Sequence, residues 1–139
     1  MHLKLSRKDY INKVGKKILG KDECPFCDPD ESINKLVWKW NFWNLIVNMA
    51  PYTWNDNHIM ATPKKHKKFF YELDENELLE LKKVHEFVKE YYNGWEYFSA
   101  TRESFWNRSV EHYHTHFFPG KMQEKYIIEM LENQNLVNK

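Results

Sequence analysis

The sequence predicts an α+β domain, an antiparallel sheet with one long helix packed on a face. Three observations carry that expectation. Short strand-like segments follow one another with short links, at residues 36–47, 58–63, 95–101 and 112–118. A single amphipathic helix with both ends marked occupies residues 75–92. Finally, His112, His114 and His116 alternate with Tyr113, Thr115 and Phe117, residue types that favour extended backbone. Adjacent, short-linked strands pair antiparallel, and a helix with one apolar stripe buries it against the sheet they form.

The histidine row organises the chain. Side chains alternate faces on a strand, so three imidazoles at steps of two share one face, about 6–7 Å apart. Pro119-Gly120 then closes the strand. Imidazole is neither a strong strand former nor a core group, so the row asks for a reason. A polar, solvated sheet face is the plain one. A His-x-His metal pair and a histidine nucleophile with flanking helpers are the two chemical ones.

At 139 residues the chain is read as one domain with a single core: a basic N-terminal helix in 1–22, a core in 23–120 and a C-terminal helix in 121–139. A formal net charge of +1 creates no global field for nucleic acid or membrane. No apolar run reaches membrane-spanning length, and the N-terminal segment lacks the apolar core of a signal peptide; a cytoplasmic protein is expected. In that compartment two cysteines point to metal or redox chemistry before a structural disulfide.

The elements follow in order. Residues 7–19 fit a short helix: Ser6 and Asp9 suit a capping box, Tyr10, Ile11, Val14 and Ile18 share a face, and Gly20 suits the C-terminal stop. Its basic face would pack over the domain edge or offer a contact surface. Cys24-Pro-Phe-Cys27 is next. Redox chemistry wants a helix running on from the first thiol, whereas Asp28-Pro29 stops one and the nearby carboxylates disfavour a thiolate. A zinc knuckle needs only a tight turn, and the pair supplies half of a four-ligand set. Two strands are expected within Leu36–Val47, with Asn41 in the turn between them and Trp38 and Trp40 on one face, packing on the sheet and not stacking on bases. His58–Pro63 reads as the next strand. The run Lys64-Lys65-His66-Lys67-Lys68 is by itself a solvated charge run, with nucleic-acid binding as the sharper alternative.

Asp74 with Glu77 three residues on is a capping box for the long helix. Leu78, Leu81, Val84, Val88 and Tyr91 or Tyr92 form its expected inward stripe, and Asn93-Gly94 its end. Trp95–Thr101 is a strand, 102–108 a polar loop, and Met122 to about Asn133 a last amphipathic helix with Met122, Tyr126, Ile127, Met130 and Leu131 inward.

Four segments in order resemble the histidine triad (HIT) family. They are Cys24-x-x-Cys27, Asn48-Met-Ala-Pro51, Asn57-His58 running to Pro63-Lys64-Lys65-His66, and His112-Tyr-His114-Thr-His116-Phe-Phe. The similarity runs from Cys24 to about Gly120, and is to the zinc-containing branch and to dinucleoside polyphosphate hydrolases. It implies a five-stranded antiparallel sheet with a long helix, paired as a homodimer. It implies that His114 attacks the α-phosphorus of a nucleotide to form a nucleotidyl-histidine, which water cleaves. His116, His58 and Ser109 would hold the phosphate or orient His114, and Asn48 would contact the ribose. A structural zinc would sit on Cys24, Cys27, His66 and His112. An imidazole bound to zinc has its lone pair occupied, so His112 as ligand and His114 as nucleophile is a sensible division.

The loop before Ser109 departs from the family pattern. Arg102–Arg108 holds no glycine, so Arg108 or Arg102 would act as a charged clamp in place of close backbone amides. Three other functions stay open at this point: a nucleoside phosphoramidase, a hydrolase whose catalytic zinc sits on all three triad histidines, and a non-catalytic nucleotide or nucleic-acid binding module.

Overall fold

The structure, a computed structural model, describes residues 24, 26–27, 34–48, 58–103, 111–120 and 124–133. The helix expected over residues 7–19 lies outside them, as do Ser109 and Arg108. The described elements are β1 (Leu36–Lys39), β2 (Trp43–Val47), β3 (Ile59–Pro63), α1 (Glu75–Tyr92), β4 (Tyr97–Thr101), β5 (Thr115–Pro119) and α2 (Glu124–Asn133). The strands form one five-stranded sheet in the order β1-β2-β3-β5-β4, with every neighbouring pair antiparallel. The fold class is therefore the expected one. No helix among the described residues is long and apolar enough to cross a membrane.

The register sorts the side chains onto two faces. Val47, Ile59 and Phe117 lie side by side across three strands, as do Leu45, Ala61 and Thr115. All of these but Thr115, with Trp43 and Tyr113, pack with Val84, Val88 and Tyr92 of α1 in the main core. The intervening row of Ile46, Met60 and His116 faces the other way. There Phe26, from between the two cysteines, packs on Ile46 and Met60.

Three hydrogen bonds fix α1 on the sheet in addition to apolar burial. The Trp43 indole donates to the Glu77 carbonyl at 2.8 Å, the Phe42 amide to Glu80 Oε1 at 2.8 Å, and the Tyr92 hydroxyl to the Phe117 carbonyl at 3.1 Å. The helix starts on the expected capping box. Glu77 N donates to Asp74 Oδ1 at 2.9 Å and Asp74 N to Glu77 Oε1 at 2.9 Å. It ends at Asn93, whose left-handed φ of 47° leads into Gly94 at φ 83°. Asparagine and glycine tolerate that conformation, which a β-branched residue would not.

The inward stripe needs correcting. Leu78 is exposed, while Glu77 and Glu80 are buried in its place. Their carboxylates have partners that periodicity does not count: Glu77 holds Asp74 N and lies 3.6 Å from Lys67 Nζ, and Glu80 holds Phe42 N. Two element starts also shift. β4 begins at Tyr97 and not Trp95, and β5 begins at Thr115, so His112 and His114 precede the strand that holds His116. Trp38 and Trp40 do share a face, and both rings lie against Phe87 of α1.

Candidate active site and metal group

The segment after β3 is tied down at two points, and this places His66. Lys67 Nζ donates to the Glu72 carbonyl at 3.0 Å and faces Glu77, which roots the segment on α1. The Lys67 carbonyl accepts the Tyr113 amide at 2.6 Å, which joins it to the histidine segment. The lysine run is thus partly structural. His66 is brought beside His112, their Nδ1 atoms 3.2 Å apart.

The two cysteines close the same cluster. Cys27 N donates to the Cys24 carbonyl at 3.3 Å, a tight turn that brings both thiols to one side. Cys24 Sγ lies 3.4 Å from His112 Nδ1, and Cys27 Sγ lies 3.2 Å from His66 Nδ1 and 3.5 Å from His112 Nδ1. All four donor atoms fall within 4.8 Å of one another. A tetrahedral ion with bonds of about 2.0–2.3 Å requires ligand–ligand spacings of roughly 3.3–3.8 Å. The cluster therefore has the size of a single-ion cage. Burial and the adjacent Cys24 push the Cys27 thiol up to about 12, so a thiolate there needs a cation beside it. The buried His112 is oriented for the task. Its Nε2 lies 2.7 Å from the Pro63 carbonyl oxygen and donates to it, which leaves the Nδ1 lone pair facing the cluster. Among the described residues this group includes neither His114 nor His116.

His114 is held in the opposite sense. Its Nδ1 lies 2.7 Å from the His112 carbonyl oxygen. A carbonyl only accepts, so Nδ1 carries the proton and the lone pair is on Nε2. The ring is 6% exposed and meets His116 edge-on, centroids 4.8 Å apart. His116 Nδ1 in turn lies 2.8 Å from Nε2 of the fully buried His58. Desolvation, with a smaller contribution from His114, pushes His58 down to about 3, so it is neutral at physiological pH. Asn48 follows β2 alongside His58: its amide donates to the His58 carbonyl at 2.9 Å, and its Nδ2 is 3.4 Å from His58 Nδ1.

Strand register extends to a cation. Thr101 pairs with Thr115, so the next residues along the two strands are Arg102 and His114. Glu103 accepts the Phe70 amide at 2.6 Å and Tyr113 packs near the Phe70 ring, both on the α1 side. Arg102, partly buried, directly follows β4 where His114 directly precedes β5. One residue of the site had no role assigned from sequence. Phe26, buried, sets its edge against both His112 and His114. The only signal was an aromatic residue inside a cysteine turn, where small or polar residues serve as well.

The five-stranded antiparallel sheet with its packed helix matches the α+β fold of solved histidine triad proteins. No family model and no curated protein matches the sequence. Solved structures do match. A hypothetical protein from Leishmania major superposes with a TM-score of 0.62 at 18% identity, over 76% of this chain and 78% of that one. A HIT family hydrolase from Clostridium thermocellum gives 0.59 at 19% identity, over 73% and 94%. The Plasmodium falciparum diadenosine triphosphate hydrolase gives 0.55 at 18% identity, over 91% and 94%. Other matches are also described as histidine triad or HIT proteins. At these identities the likeness establishes the fold.

Proposed function

We propose that the chain is a nucleotide hydrolase or nucleotidyl transferase in which His114 is the nucleophile, with a dinucleoside polyphosphate as the substrate class. The observation that carries this reading is the hydrogen bond from His114 Nδ1 to the His112 carbonyl, which puts the lone pair on Nε2. Nε2 attacks the α-phosphorus. The N–P bond forms as the P–O bond to the rest of the polyphosphate breaks, and that oxygen leaves with the electron pair. Water then attacks the same phosphorus, the N–P bond breaks, and His114 regains its lone pair while the water proton passes to solvent. Two displacements at a neutral imidazole replace one harder step.

The neighbours have stated tasks. His58 Nε2 and His116 Nδ1 share one proton at 2.8 Å, and with the neutral His58 as donor His116 keeps its own proton on Nε2. His116 then presents Nε2–H towards a phosphate oxygen, a donor fixed before charge develops. Ser109 and Arg108 would complete the phosphate contacts, Arg102 would add a cation, and Asn48 would contact the ribose. Cys24, Cys27, His66 and His112 fit zinc by donor type and spacing. Zinc there would cross-link the knuckle, the segment after β3 and the histidine segment, and with four protein ligands it would have no position open to substrate. That arrangement disfavours a catalytic zinc on all three triad histidines. A homodimer belongs to the same proposal.

The test is intact-mass analysis of the protein acid-free quenched during turnover of diadenosine tetraphosphate. A mass increase of one nucleoside monophosphate on His114 is expected. An adduct on another residue, or turnover by the His114→Ala variant, would remove the assignment.

A further inference from the structure

Phe26 belongs to the cysteine turn in sequence but touches His114 in space. Its ring is 2% exposed. One edge contact is with His112 of the metal group, centroids 6.0 Å apart at 87°, and the other is with His114, 5.0 Å apart at 71°. Its remaining surface packs on Ile46 and Met60. Two rings thus meet His114, those of Phe26 and His116, at 5.0 and 4.8 Å.

The bond from Nδ1 to the His112 carbonyl sets the tautomer and, with the covalent anchor at Cβ, resists turning of the ring about Cβ–Cγ. A single hydrogen bond still lets the ring rock, and rocking swings Nε2 away from the line of attack. The contacts with His116, itself held by His58, and with Phe26 limit that rocking. The anchor of Phe26 is the turn, which would be held closed when Cys24 and Cys27 bind one ion together with His66 and His112.

We infer that Phe26 is a positioning residue through which metal binding at the cysteine–histidine cage sets the orientation of the His114 ring. Metal loading seats the turn, the turn seats the phenyl edge, and the edge holds the imidazole. The kinetic part rests on the proposed role of His114. The orientation part does not.

The experiment compares wild type with Phe26→Ala and Phe26→Leu, each with its zinc content measured. The rate at which diethyl pyrocarbonate modifies His114 is followed by peptide mass, with and without a chelator. In parallel, kcat and KM are measured on diadenosine tetraphosphate. With zinc bound, Phe26→Ala is expected to raise His114 modification severalfold and lower kcat about ten- to a hundredfold with KM unchanged, the scale of a small misplacement of a reacting atom. Phe26→Leu falls between, and carries the comparison if the alanine variant binds less zinc. Chelation speeds modification in wild type and adds little in Phe26→Ala. An unchanged modification rate in zinc-loaded variants would overturn the inference. So would a change confined to KM, or equal acceleration by chelator in wild type and Phe26→Ala. If wild type turns nothing over, the hydrolase reading fails while the modification rates still decide the coupling.

Discussion

His112 and His114 are two residues apart, equally unlikely core groups, and arranged in opposite ways. His112 gives its Nε2 proton to the Pro63 carbonyl and turns Nδ1 to two thiols and a second imidazole. His114 gives its Nδ1 proton to the His112 carbonyl and keeps its lone pair on Nε2. In each ring a backbone carbonyl chooses the tautomer. One choice suits a metal ligand and the other suits the proposed nucleophile. The lesson is that residue type sets what an imidazole can do, while the acceptor at its other nitrogen sets which of those it does.

The largest test of this contrast is to remove each ring separately. His114→Ala should lower kcat by about 10⁴-fold or more, as loss of a nucleophile does, and should leave bound metal at the wild-type level. His112→Ala should do the reverse in kind. Its metal content should collapse and its melting temperature fall by about 5–10 °C, on the order of 2 kcal/mol for a domain of this size. It should still form the adduct on His114, though more slowly, because the acceptor of the His114 proton is a backbone oxygen. Metal analysis, thermal melts and adduct mapping on the two variants check this, and equal metal loss in both would dissolve the distinction.

A pH-dependent effect separates His58 from both. Burial, helped by the charge of His114, pushes His58 from 6.5 down to about 3. The unfolded chain therefore takes up this proton first as pH falls. His58 has no effect on stability above about pH 6.5 and lowers it between about 6.5 and 3, by up to about 1.4 kcal/mol per pH unit. In His58→Gln the loss of stability on acidification from neutrality should be shallower than in wild type. Urea melts across that range measure it, and parallel slopes would show that His58 is not the titrating group. The smallest effect is expected from Asn48→Ala. Losing one long hydrogen bond to His58 should lower kcat/KM about fivefold, on the order of 1 kcal/mol, without changing metal content.

The fold was legible where the chain states its own boundaries. Asp74 with Glu77 opens α1 and Asn93-Gly94 closes it, because capping and left-handed turns are local chemistry. The antiparallel sheet followed from short links between strands. Leu78 was misread for a non-local reason: Glu77 and Glu80 are buried by contacts with Lys67 and with the amide of Phe42, which only the assembled fold supplies. The possible metal-binding group could be named in advance from donor types and a resemblance, yet which carbonyls hold the histidine rings, those of Pro63 and His112, could not. Backbone oxygens carry no sequence signature. Phe26 escaped for a similar reason, since its importance comes from the two rings it meets and not from its own type.

The central claim is best tested by long-range nitrogen–proton correlation NMR on the zinc-loaded protein at neutral pH, which reports which nitrogen of each ring bears the proton. His112 should appear as the Nε2–H form with Nδ1 shifted by metal, and His114 as the Nδ1–H form with no metal shift. A His114 ring protonated on Nε2, or carrying the metal shift itself, would contradict the account.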